Sequence, residues 1–88
     1  SYHADLLHAK KVFEQAFRSC PTVLETQPVT IFVDELGESG IRLGGYGYCI
    51  GSDYLATKWY VAEHVKLLFD ENGVEIPFNQ LDVNMKNQ

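Results

Sequence analysis

The stretch Val29 to Ile50, VTIFVDELGESGIRLGGYGYCI, decides the fold of this chain. Val29, Ile31 and Val33 alternate with Thr30, Phe32 and Asp34, the two-residue period of a strand whose side chains point to opposite faces in turn. Pro28 stands before the run and pushes Gln27 into an extended conformation. Leu36-Gly37-Glu38-Ser39-Gly40 reads as a turn. A second strand is expected from Ile41 to Ile50, with Ile41, Leu43, Gly45, Gly47 and Cys49 on one side and Arg42, Gly44, Tyr46, Tyr48 and Ile50 on the other. So short a connection joins antiparallel neighbours, which makes the pair a hairpin.

The flanks of the hairpin read as helices. Upstream, Leu6, Ala9, Phe13, Ala16, Phe17 and Cys20 recur at three- and four-residue spacing and share one helix face, opposite Lys10, Lys11, Glu14, Gln15 and Arg18. Asp5 is expected to cap this helix and Pro21 cannot continue it, which predicts Asp5 to Cys20. Downstream, Ser52 or Asp53 is expected to cap a second helix. Its buried face is predicted as Leu55, Ala62, Val65 and Phe69, extended by Val61 and Leu68, and Gly73 should end it in a left-handed conformation. Val74-Glu75-Ile76 is then extended and Pro77 forbids a central ladder bond, while Leu81, Val83 and Met85 alternate with Asp82, Asn84 and Lys86. The order helix, strand, strand, helix, strand predicts an α+β, two-layer sandwich that resembles a ferredoxin-like fold lacking its first strand.

Composition narrows the function. A chain of 88 residues, 45% of them apolar, has material for one core and not two. A formal charge of −5 is poorly suited to tracking phosphates, so no nucleic-acid partner is expected. The longest apolar stretches are a few residues against the roughly 20 needed to cross a bilayer, and no signal sequence opens the chain, so no direct membrane insertion is expected of this segment.

Candidate chemistry is sparse. Gly44-Gly45-Tyr46-Gly47-Tyr48-Cys49-Ile50-Gly51 precedes a helix, yet Ile50 stands where a dinucleotide fingerprint beginning at Gly45 needs its third glycine, and no Lys-Ser or Lys-Thr pair follows. Gly45 and Gly47 are better read as places where a helix packs closely on the sheet. His3 and His8 are five apart and share no helix face, and Cys20 and Cys49 form no ligand motif, so no metal or other cofactor is expected. Sequence alone leaves the pairing of those two cysteines open. Cys20 or Cys49 with His64 could be drawn as nucleophile and base, but nothing local lowers a thiol pKa, and no catalytic residue or enzyme activity is expected. Asp34, Glu35 and Glu38 flank the turn as a solvated edge that discourages strand pairing between molecules. Tyr46 and Tyr48 fall on the sheet face opposite the helices and suggest a contact surface.

Phe69-Asp70, then Gly73-Val74-Glu75-Ile76-Pro77-Phe78, then Gln80-Leu81-Asp82-Val83, resembles the end of the C-terminal cytoplasmic domain of small-conductance mechanosensitive (MscS) channels. The likeness extends through Val33-Asp34-Glu35-Leu36 with Ser39, and through Tyr2 and Asp5, so it covers nearly the whole chain. It implies a non-catalytic assembly and solute-filtering domain of a channel that releases ions and osmolytes under membrane tension. Its partners would be copies of itself in a ring, heptameric by resemblance, and the preceding channel domains of the parent chain. Its place would be the cytoplasmic side of the membrane, as the soluble part of an integral membrane protein. The resemblance also implies a division into residues 1–79, the α+β domain, and residues 80–88, one strand of an inter-subunit barrel, with Gln80, Leu81, Asp82, Val83, Asn84 and Met85 at the subunit interface. Glu35 and Glu38 would supply portal electrostatics. Gly44, Gly45 and Gly47 depart from the bulkier residues of the family strand. The competing reading is a small regulatory ligand-binding module of ferredoxin-like fold, since fold alone does not fix function.

Overall fold

A computed structural model describes residues 2–37 and 40–88, and side chains from Asp5 onward apart from Phe78. Glu38 and Ser39 lie outside the described residues, as do the side chains of Tyr2, His3 and Ala4. The elements are α1 (Tyr2–Arg18), β1 (Thr30–Gly37), β2 (Gly40–Cys49), a short 3-10 turn (Gly51–Asp53), α2 (Tyr54–Glu71), a second such turn (Phe78–Gln80) and β3 (Leu81–Asn87). This is the predicted α+β order of helix, strand, strand, helix, strand. It is compatible with a ferredoxin-like sandwich missing a strand.

β1 and β2 pair antiparallel, Thr30 opposite Tyr46 and Ile31 opposite Gly45, with a register shift between Val33 and Glu35 that leaves Asp34 as the extra residue of a bulge. The ladder continues through Leu36 opposite Ile41 to Gly37 opposite Gly40, so Leu36, Gly37 and Gly40, expected in the turn, belong to the strands. Gly40 makes this possible with φ of 122°, a conformation that side chains disfavour. β3 pairs with β2 in parallel, from Leu43 opposite Leu81 to Cys49 opposite Asn87, giving strand order β1-β2-β3 among the described residues. Parallel neighbours need a long crossover, and α2 supplies it. The sequence reading set residues 80–88 apart from the domain. Leu81, Val83 and Met85 point inward from β3 and pack into the same core cluster as the helices.

Both helices cover one face of the sheet. α1 contributes Ala9, Val12, Phe13, Ala16 and Phe17, with Phe13 and Phe17 stacked at 5.6 Å between ring centroids and Phe69 of α2 set edge-on to Phe13 at 6.1 Å. The helix starts ahead of Asp5, which lies in its first turn where a carboxylate complements the exposed amides. It stops at Arg18, and Cys20 donates its backbone N–H to Phe17 O in a tightened last turn before Pro21. Arg18 then holds the following loop, its guanidinium donating to Leu24 O at 3.2 Å and Gln27 O at 2.9 Å.

α2 departs from expectation in two respects. Asp53 occupies the position before the helix but makes no side-chain cap bond, because the 3-10 turn Gly51–Asp53 leads the chain directly into it. Its buried stripe is Thr57, Val61, Val65 and Phe69, one residue every four, which leaves Leu55 56% exposed and Ala62 half-buried. Thr57 displaces the expected apolar residues because its hydroxyl meets that of Thr22 from the loop after α1. The C-terminus follows expectation: Gly73 adopts φ of 70°, Val74 N–H donates to Phe69 O at 2.8 Å, and Gly73 N–H donates to Asp70 O at 3.4 Å. That paired reversal satisfies carbonyls the helix end would otherwise leave bare and turns Val74 back toward the core.

Candidate functional site

The glycines of β2 let rings approach from both faces of the sheet. A Cβ at Gly45 would meet Ile31, Phe13 and Phe17 at 2.8 to 3.0 Å, and one at Gly47 would meet Phe17 and Val23 at 3.2 and 3.3 Å, so the helix layer sits directly on the strand backbone as the sequence predicted. On the opposite face the Phe32 ring lies over Gly44, where a Cβ would come within 2.5 Å of it. The surface that the missing side chain would have loosened is therefore filled by an aromatic ring.

Phe32, Tyr46 and Tyr48 form a row across that outer face, with centroid separations of 6.4 and 6.2 Å. Both tyrosines are half-buried on the side away from the helices, as their alternation required. Lys86 of β3 places its ammonium 4.0 Å from the Tyr46 ring centroid. A hydrogen bond with Thr30, and after it the Lys86 charge, hold the Tyr46 phenol below its usual range. Tyr54 at the start of α2 donates to Asn84 Oδ1 at 3.2 Å, so the same face carries polar contacts from three elements. At its far end Arg42 bridges Asp34 of the bulge at 3.3 Å and donates to Asn79 O at 3.1 Å, tying the hairpin to the segment that enters β3.

The residues expected at a subunit interface divide by direction. Leu81, Val83 and Met85 are buried, Gln80 is half-buried, and Asp82 and Asn84 are exposed. What this strand offers a neighbour is its outer main-chain edge, which has no strand beside it among the described residues and where the Met85 N–H donates to Asn84 Oδ1 of its own strand at 2.9 Å, together with Asp82 and Asn84. Glu35 is exposed beyond the bulge, and Glu38 lies outside the described residues.

The thiols and the histidine are not brought together as reacting groups. Cys20 and Cys49 are free and buried, and burial, the largest influence, pushes the Cys49 thiol up. Cys20 Sγ lies 3.4 Å from Thr22 Oγ1. His64 stacks on Tyr60 at 3.8 Å, and its Nδ1 lies 2.9 Å from Tyr60 O, so that nitrogen carries the proton and donates to the backbone. His8 uses Nε2 on Asn72 O at 3.1 Å. No three His, Cys, Asp or Glu residues gather into a metal-binding group among the described residues. The feature that sequence reasoning missed is the Thr22–Thr57 pair. Its signal was Thr57 falling four residues before Val61 on the stripe that continues through Val65 and Phe69.

No family model matches the chain. No solved structure matches it either. Among curated proteins it is 28% identical over 85 residues to a small-conductance mechanosensitive channel of Edwardsiella ictaluri, covering 97% of this chain and 30% of the relative. It is 27% identical over 84 residues to an uncharacterized MscS family protein of Synechocystis, covering 96% of the chain and 28% of the relative. A third, an uncharacterized MscS family protein of Archaeoglobus fulgidus, is 25% identical over 79 residues, covering 90% and 28%. The similarity thus runs along nearly all of this chain, which spans less than a third of the length of each relative. No helix among the described residues is long and apolar enough to cross a membrane.

Proposed function

We propose that this chain is a non-catalytic assembly and solute-filtering domain of a mechanosensitive channel of the MscS family, carried on the cytoplasmic side of the membrane. The observation that carries this reading is the similarity to the Edwardsiella channel along 97% of the chain. The α+β sandwich, the acidic balance and the absence of a converged nucleophile, base and oxyanion site among the described residues are consistent with it. Copies of the chain assemble in a ring, heptameric by family resemblance, with the other channel domains of the parent chain beside them.

Residues 80–88 carry the contact between copies. The outer edge of β3 has no strand beside it among the described residues, its Met85 N–H being held only by Asn84 Oδ1 of the same strand, and an edge of this kind is a template for another strand. A head-to-tail contact repeated around a closed ring satisfies every such edge at once. Tyr46, Tyr48 and Phe32 offer the second contact surface, toward another part of the parent protein. Glu35 and Glu38 add acidic charge that concentrates cations where solutes enter; an unchanged ion preference after neutralising both in a full channel would remove that role.

The test is a full channel lacking Leu81 to Gln88. It should assemble less completely and dissociate at lower detergent concentration than the intact channel. Because those residues also close the core, and Asn84 bonds Tyr54 and the Met85 N–H, Asp82→Lys is the sharper variant: its side chain is exposed, so the domain should keep its far-UV spectrum while the ring weakens. Intact rings in both variants would refute the assignment.

A further inference from the structure

A cleft at the other end of the sheet has a chemistry that the channel reading does not use. The first turns of α1 (Asp5, Leu6, His8, Ala9) face the segment that leaves α2 (Gly73, Val74, Glu75, Ile76), with Ile41 of β2 as the floor, and enclose a cavity of about 280 Å³. The reversal at Gly73 and the His8–Asn72 hydrogen bond hold its two walls together. Leu6, Ile41, Val74 and Ile76 are only half-buried, packed on the core and open to the cleft.

Its polar groups are of one kind. Among the described residues no lysine or arginine lines it, whereas Asp5 and Glu75 do, and neither carboxylate belongs to the ion pairs Arg42–Asp34 or Lys66–Asp70. His8 donates from Nε2 to a carbonyl, and in the neutral imidazole Nδ1 is then a further acceptor. An anion would meet the two full negative charges of Asp5 and Glu75, which exceed the partial positive charge of the first turn of α1. An inorganic cation would gain nothing from five apolar residues. A cation carrying a short aliphatic stem uses both parts of the lining: the stem covers Leu6, Ile41, Val74 and Ile76, and the charged head remains near Asp5 and Glu75 at the rim. The volume lies at the low end for ligand sites, which begin at about 300 Å³, so the stem is a few carbons long.

We infer that this cleft is a binding site for a small alkylammonium ligand. The inference does not rest on the channel assignment. Both carboxylates are exposed, which screens their attraction and sets the affinity on the order of 1–10 mM for so small a ligand.

The probe is n-butylammonium chloride, titrated into the 88-residue chain at constant ionic strength against sodium chloride, with backbone amide shifts followed by NMR. The expected result is saturable shifts confined to the amides of Leu6, Ala9, Ile41, Val74 and Ile76. Removing both charges with Asp5→Asn and Glu75→Gln should weaken binding roughly fivefold. Both positions are exposed, and an unchanged pattern of amide dispersion would show that the fold is kept. Butyrate should give no saturable shift at these amides, and n-butanol should bind more weakly than the ammonium. Equal binding of n-butanol and n-butylammonium, equal binding by the charge-neutral variant, or no saturation at these amides would each overturn the inference.

Discussion

Substituting Gly45 by alanine tests the packing of the helix layer on the sheet. The new Cβ would lie 2.8 Å from Ile31 Cδ1 and 3.0 Å from both Phe13 Cε1 and Phe17 Cε2, closer than carbon atoms approach without displacement. Ile31 can move, because the atom in the way is the end of a flexible side chain. The two rings cannot move easily, since both are fully buried and stacked on one another, with Phe69 against the edge of Phe13. Overpacking of this kind costs about 1–3 kcal/mol. Restricting the unfolded chain by removing a glycine returns about 0.4–1 kcal/mol. The net expectation is a loss of about 1–2 kcal/mol, a fall in Tm of roughly 5–15 °C for a domain of this size. Urea unfolding of the two proteins, with equal m-values, measures it. Phe17→Leu should make Gly45→Ala less costly than it is alone, a coupling that a double-mutant cycle isolates. A variant as stable as the parent, or more so, would refute the argument that the rings are held in place.

Two further outcomes follow from side chains described above. Thr57→Val should lower stability by about 0.5–1.5 kcal/mol, the net worth of one hydrogen bond, and Thr22→Val should cost less in that background than alone in the same unfolding assay. The Tyr46 phenol should ionise below its usual range in an absorbance titration, with its contribution identified by Tyr46→Phe. Lys86→Met should move it upward, and Thr30→Val should move it further, since the hydrogen bond outweighs the charge. A group whose folded pKa is depressed stabilises the fold only as pH rises through the alkaline range, so neither substitution should alter the pH dependence of stability near neutrality through this group.

Much of the architecture is legible in the sequence because it depends on local period. The alternation in β2 and β3 gives the correct inward faces, and Gly73 announces the end of α2. Tyr46 and Tyr48 land on the outer face for the same reason. Features set by distant partners are not legible in this way. Thr57 is polar, so a pattern of apolar residues passes over it in favour of Leu55, which the fold leaves exposed. Nothing around Asp34 signals a bulge, which appears only when β1 is laid against β2. The alkylammonium cleft draws on three segments remote in sequence, and each of its residues reads alone as ordinary surface or edge. The choice of β2 as neighbour for Leu81–Asn87 is likewise a matter of global packing rather than local pattern.

That choice has a consequence in time. The hydrogen-bonded partners of β2 and β3 stand roughly forty residues apart in sequence, so their ladder must wait for the whole of α2 to be made and folded back. A chain emerging from the ribosome can close its hairpin and begin both helices while its final seven strand residues are still being delivered. Until they arrive, the apolar underside of the helix layer is open along one border. The domain therefore seals only once Leu81–Asn87 have been made and folded back, and a nascent chain that stops short of them would be sticky rather than merely incomplete.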